Sequence, residues 1–374
     1  MYLAIREMRF AKGRYALIAT IMVLVSFLVL FVTGLAQGLA YDNAASIKNM
    51  AATHFVLEQD SNHRFTRSQV NQDQLEQSRS VVGQDNAEPL GVKMTTVSPA
   101  DDTKKIDVTL FMVNPEGWLA PTVTEGVPIA EQKDGQVVVD QKLSESGVTI
   151  GTVLVDQASG MEWTVGGFVQ NESFSHSPVV FLNEQEWLAL QGSPRTTPDT
   201  AGNNASSYNA IAIKDADEKV DSLSAALPNA EVITKSEAVS AIPGYKEEQG
   251  SLLMMIAFLF VISAFVLAVF FYVITIQKTS QFGILKAIGT RNAYLAGSVS
   301  LQVLLLSVGS LVISVLLVRL FESILPASMP FQLGLSTLAL TCILFVIMSM
   351  AGSLFSVWKV TKIDALDAIG RTAA

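Results

Sequence analysis

The 374 residues are half apolar and only 16% charged, against about a quarter charged in ordinary soluble proteins. The formal charge of -9 is unevenly placed: residues 40–251 hold 14 basic and 30 acidic side chains, and the remainder holds 11 and 4. An acidic segment is therefore set into a basic, apolar frame, and no nucleic-acid partner is expected. The single cysteine, Cys342, lies within an apolar run, which excludes an intrachain disulfide and a two-cysteine metal site.

Tyr15–Leu39 carries no charge over 25 positions, and about 20 suffice to cross the hydrocarbon core as a helix. Arg6, Arg9, Lys12 and Arg14 precede it in a basic N-terminal segment (residues 1–14), but the run outlasts the roughly 7–15 apolar residues of a cleaved signal. A retained first span is expected. Leu252–Ile276, Tyr294–Val318 and Leu333–Val357 are three further uncharged runs of spanning length. Lys and Arg counts near span ends set orientation. They place residues 1–14, the loop 277–293 with Lys278, Lys286 and Arg291, and the tail 358–374 with Lys359, Lys362 and Arg371 in the cytoplasm. The Arg319–Gln332 connection, with Pro326 and Pro330, is then a stiff outer turn.

Residues 40–251 are long enough to fold independently. Alternating or β-branched runs at Gln136–Asp140, Gly151–Asp156, Met161–Gln170, Pro178–Leu182 and Asn209–Ile213 predict strands. Asn183–Gln191, opened by an Asn cap, and Asp215–Leu227, with Val220, Leu223 and Leu227 on one face, predict helices. The expected fold is a membrane protein of four transmembrane helices carrying an α+β extracytoplasmic domain. Ser61–Glu88 reads as polar, helical or partly mobile, and Pro194–Ser207 as a loop. His54, His63 and His176 form no closely spaced ligand set, so no metal site is expected.

The loop between spans two and three reads QKTSQFGILKAIGTRNA. Phe282, Leu285 and Ile288 fall on one face of a short helix, with Lys278, Lys286 and Arg291 directed elsewhere. Gly283, Ala287 and Gly289 leave room for a second surface to approach. Such a helix can lie on membrane lipid or dock a cytoplasmic partner. It cannot bind nucleotide by a G-x-x-x-x-G-K-[ST] loop, which neither it nor any other stretch contains. Energy for moving a substrate must come from another chain.

This loop resembles the IGILKAIG-type coupling helix of MacB/FtsX-like ABC permeases. LVLFVTGLAQGLAYDNAASIKNM ending at Met50, LLMMIAFLF opening span two, AVFFYVITIQK closing it, Met329–Phe331, the opening Leu3-Ala4-Ile5-Arg6-Glu7 and the tail KVTKIDALDAIG are together similar to the HrtB-type haem-efflux permeases. The likeness covers the spans and inner loops and is looser over the acidic segment. It implies a homodimeric permease, not itself an enzyme, in a bacterial plasma membrane, working with an HrtA-type ATPase that docks on Gln281, Phe282, Gly283, Ile284, Leu285, Lys286, Ala287, Ile288 and Gly289. Haem is the implied substrate, with no resident cofactor; the wider class also includes exporters of other hydrophobic substrates and FtsX-like permeases that transmit force or signal.

Haem suits the uncharged spans, since hydrophilic pathways ordinarily carry ionisable groups. Iron accepts thioether or imidazole ligands, which makes Met50, His54, Met254 and Met255 candidate contacts. Phe258, one turn from Met254, is a candidate cover for the porphyrin face. Lys48 and Lys246 are within reach of propionates, or are ordinary solvated charges. Gly34 and Gly38 form a G-x-x-x-G, which permits close helix packing; the motif is common in membrane helices, and here it is a candidate contact with the second copy.

Overall fold

The computed structural model describes Arg6 and residues 10–192, 207–215, 218–326 and 329–361, the last seven by backbone alone. The rest of the opening motif, Arg9, all of the expected loop but Ser207, and the tail from Lys362 through Arg371 lie outside the described residues. Chain contacts divide the protein into a helical unit, Met1–Gly38 with Gly250–Ala374, and a second unit, Leu39–Gln249.

In chain order, α1 (Lys12–Asp42) leads into α2 (Ala45–Asn49) and β1 (His54–Glu58). Then come β2 (Val70–Asn71), α3 (Gln72–Val82), β3 (Ala87–Pro99), β4 (Ile106–Met112), β5 (Glu125–Gly126) and β6 (Gln136–Asp140). β7 (Val153–Asp156), β8 (Glu162–Val169), β9 (Ser173–Phe174), β10 (Ser177–Leu182) and α4 (Glu184–Gln191) follow. β11 (Ser207–Tyr208), β12 (Ala210–Ile213), α5 (Val220–Ala226), β13 (Ala230–Thr234) and α6 (Lys235–Ser240) end the second unit. The chain finishes with α7 (Tyr245–Gln277), α8 (Thr279–Ala287), α9 (Asn292–Glu322) and α10 (Leu335–Thr361).

The second unit is α+β, built on a sheet ordered β13-β1-β12-β3-β4-β10-β6-β8-β5. β7 pairs with both β3 and β8, which closes β3-β4-β10-β6-β8-β7 into a ring and leaves fewer open edges. Successive strand side chains point to opposite faces. Accordingly Val137, Val139, Leu110, Met112, Val180 and Leu182 belong to one buried cluster, while Val138, Phe111, Val113, Val179 and Phe181 belong to another. Burial on both faces explains why these strands read as continuous apolar runs rather than as alternating ones.

Five expected strands are present with small shifts. Gln136–Asp140 matches β6 at both ends, whereas β7 begins only at Val153, because Gly151 has a φ of +90° and turns the chain first. α4 starts at its expected cap, the Asn183 side chain accepting the Glu186 amide at 2.9 Å. α5 begins at Val220 rather than Asp215, whose φ of +55° is left-handed. Within the polar stretch Ser61–Glu88, α3 is fixed by a capping box between Asn71 and Gln74.

In the helical unit four helices are long and apolar enough to cross a membrane: α1, α7, α9 and the Leu335–Leu354 part of α10. The fourth span therefore starts two residues later than its apolar run. Small polar side chains knit these helices together, as is usual in bilayers. Ser26 and Ser314 lie Oγ to Oγ at 2.7 Å, and Ser314 donates to the Val23 carbonyl at 2.9 Å.

Gly34 and Gly38, the candidate contact with a second copy, are approached closely from within the chain. A Cβ on Gly34 would collide with the Phe331 ring, and one on Gly38 with the Pro330 carbonyl oxygen. The Gln332 amide donates to the Gly34 carbonyl at 3.1 Å. The glycines form a notch that seats the α9–α10 link.

Candidate coupling and substrate site

α8 is a two-turn helix whose ends are chemically defined. Its last turn closes on Gly289, with φ +94°: the Gly289 amide donates to Lys286 O at 2.9 Å and the Thr290 amide to Leu285 O at 3.0 Å. That is the paired-bond stop in which a glycine takes the left-handed position at no Cβ cost.

The expected apolar face of this helix is split. Phe282 is buried and Leu285 packs against the same core, but Ile288, at the C-cap, is 77% exposed. Ile284, half exposed, is the other large apolar residue of the segment that faces outward. Ile284 and Ile288 are four apart and share a face, so Phe282 and Leu285 hold the helix to the bundle while Ile284 and Ile288 present it. Gly283 is buried, and Gln281, Ala287 and Gly289 are exposed.

Lys278, one of the basic residues of the inner loop, is buried. It caps α8, and its ammonium donates to the Tyr15 hydroxyl at 2.6 Å and to Gln302 Oε1 at 3.1 Å. It also stands 5.2 Å from the centroid of the Tyr15 ring, a favourable place for a cation. Taking an ammonium out of water costs several kcal/mol unless it is well bonded, and here the bonds come from α1 and α9. Tyr15 and Gln302 were not singled out from the sequence. Only their polarity within apolar runs marked them.

The candidate haem contacts fall into two groups, each within one unit. Met254, Met255 and Phe258 all lie on α7 and are 57%, 46% and 61% exposed. Met254 and Phe258 are one turn apart on the same face. α7 is the least buried span, with 11% of its apolar stretch covered against 39% for α9.

Met50 and His54 are instead closed off in the second unit. Met50 caps α2 and packs in the core with Ala44, Ile47 and Phe55. Its carbonyl accepts the Lys235 ammonium at 2.6 Å, whose pKa burial lowers. His54 is not at a span end but within β1, paired with Ile213 and Thr234, its Nδ1 3.1 Å from Thr53 Oγ1. Of Lys48 and Lys246, Lys48 is engaged with the Ala40 carbonyl at 2.9 Å and sits over the Tyr245 ring.

Comparison with known proteins places these features in context. Residues 253–365 match the family described as FtsX-like permease C-terminal. The chain is 30% identical over 370 residues to a hemin transport system permease protein HrtB of Staphylococcus haemolyticus, covering 99% of each. It is 30% identical over 375 residues to the protein of that name from Staphylococcus epidermidis, again covering 99% of each. Among solved structures, the extracellular domain of the transporter YknZ from Gram-positive bacteria aligns at 14% identity and TM-score 0.33, over 49% of this chain and 99% of that one.

Proposed function

Because the chain belongs to the HrtB family of FtsX-like permeases, we propose that it is the membrane subunit of an ATP-driven exporter that takes haem from the bilayer to the outside of a bacterial cell. The observation that carries the substrate is the exposed Met254–Met255–Phe258 surface on the least buried span. A methionine sulfur is an accepted axial ligand for haem iron, and an aromatic ring can cover a porphyrin face. Haem is cargo here, not a resident cofactor.

ATP hydrolysis falls to a separate HrtA-type ATPase, seated against Ile284 and Ile288 on the cytoplasmic side. Both termini lie on that side by the Lys/Arg count, and the α+β unit lies on the other. Two copies of the chain complete the exporter. Since Gly34 and Gly38 are filled by Pro330 and Phe331, the second copy meets a different surface.

In operation, closure of the ATPases pushes α8. Lys278 and Phe282 pass that push to α1 and α9, and haem held beside Met254 is displaced as the spans shift, a two-state coupling biased by ATP. Haem titration of the purified chain tests the reading. A saturable absorbance band that Met254→Ala and Met255→Ala each weaken supports export. A wild-type protein that binds no haem would instead support a force- or signal-transmitting permease or an exporter of another hydrophobic substrate.

A further inference from the structure

β9 and β10 are joined by only two residues, Ser175 and His176, with Ser177 paired to Phe174 across the turn. Both have positive φ, +52° and +62°. Two-residue hairpin turns of this hand are ordinarily filled by Asn-Gly or other glycine-bearing pairs, because a Cβ is disfavoured there. A Ser-His pair is held in a conformation that neither residue prefers, and such strain points to a role for what it places.

What it places is an imidazole between two carboxylates. His176 Nε2 lies 3.0 Å from Glu248 Oε2, and Nδ1 lies 3.4 Å from Asp42 Oδ2. Asp42 is the last residue of α1 and Glu248 is in the first turn of α7. These are the two places where the α+β unit continues into spans one and two.

The surrounding bonds serve the same two points. Asn43 Nδ2 donates to Glu248 Oε2 at 2.6 Å, and the Ser175 amide donates to the Asn43 carbonyl at 2.8 Å. Ser173 Oγ donates to the Asp42 carbonyl at 2.7 Å, and Lys142 pairs with the Asp42 carboxylate. One hairpin tip thus grips both helix ends at once.

We infer that His176 is a positioning residue, a clasp that fixes the separation of the end of α1 from the start of α7, so that spans one and two move together at this level. Only the imidazolium donates from both ring nitrogens; the neutral ring donates from one. The clasp is therefore tighter when His176 is protonated. The charged groups around it are Asp42, Glu248 and Lys142, with Glu247 in the same turn as Glu248. Asp140 faces Asp42 and Glu172 faces Asp140, and burial is the chief cause that raises the pKa of both Asp140 and Glu172.

Spin labels at Ala40→Cys and Lys246→Cys, in a full-length Cys342→Ala background diluted with unlabelled copies in lipid nanodiscs, read the separation directly. The expected result is a narrow distance distribution at pH 6 that at least doubles in width at pH 9. His176→Ala is expected to be broad at both pH values, and His176→Arg, a permanent two-pronged donor, narrow at both. Glu248→Gln, which weakens the other half of the contact, should broaden it as well, and Glu172→Gln should leave the pH response in place.

A distribution unchanged in both His176→Ala and Glu248→Gln, with thermal melts showing folded protein, overturns the clasp. So does a pH response that survives in His176→Arg. The clasp gains its part in transport from the exporter reading, but the distance measurement needs neither haem nor ATPase. Failure of haem binding with the expected distances would therefore reject the substrate and leave the clasp standing.

Discussion

Tyr15 and Gln302, 287 positions apart, share a 2.7 Å hydrogen bond in which the phenol donates to the amide oxygen, and each also accepts from Lys278. Removing the phenol oxygen leaves a buried ammonium and a buried amide with one partner fewer, a loss of about 1.5–3 kcal/mol for a hydrogen bond to a charged group. Tyr15→Phe is expected to lower the melting temperature of the detergent-solubilised protein. An unchanged melt would show that the triad holds nothing.

The two apolar pairs on α8 should respond differently. Ile284→Asp and Ile288→Asp alter exposed side chains and are expected to preserve the melt while abolishing stimulation of the partner ATPase. Phe282→Ala empties a packed position and should cost about 3–5 kcal/mol of stability. Equal melts for Phe282→Ala and Ile284→Asp would refute the division of the helix into a holding face and a presenting one.

Gly38→Ala tests which surface the glycine notch receives. A methyl group there would collide with the Pro330 carbonyl, backbone that cannot swing aside. The expected outcome is a lowered melt with the oligomeric state unchanged by light scattering. Dissociation into monomers at an unchanged melt would return the notch to the interface between copies.

Glu172 gives the α+β unit a pH dependence. Burial pushes its pKa from the ordinary 4.5 up to about 7, with the Asp140 carboxylate adding to the rise and Asn49 opposing it. The folded state then holds a proton that the unfolded state has released between these values. Linkage makes this contribution full below about pH 4.5 and progressively lost as pH rises to about 7. Thermal melts across that range should fall with rising pH, and Glu172→Gln should flatten the Glu172 part of the slope. A slope identical in the variant would exclude Glu172 as its source.

Local chemistry was legible in the sequence and distant chemistry was not. The Asn183 cap, the β6 run and the four uncharged spans announce themselves within a few residues, and they fold as read. β3, the longest strand, went unread because Pro89, Gly91 and Lys93 interrupt its pattern; its pairing with β4, β7 and β12 overrides them. Lys278 reads as one more basic loop residue, and only the return of α1 across 263 positions buries it. His176 likewise lies 134 residues from Asp42 and 72 from Glu248, so no spacing rule could join them. The candidate Met254, Met255 and Phe258 were visible as a pattern because they share one helix, whereas the burial of Met50 and His54 depends on strands far along the chain.

The ring of Phe331 in the glycine notch is also the last member of a stack running through Phe31 to Phe27, with Phe321 of α9 against both of the latter. α1, the end of α9 and the link to α10 are thereby keyed to one another, and none can slide along its axis without lifting an aromatic ring out of its seat. α7 joins the same core through Leu267 and Phe271 and is held at its α8 end by Lys278, but is otherwise the barest of the four spans. The aromatic lock of the bundle is thus kept away from the span that bears the methionines, whose flank is the one left bare.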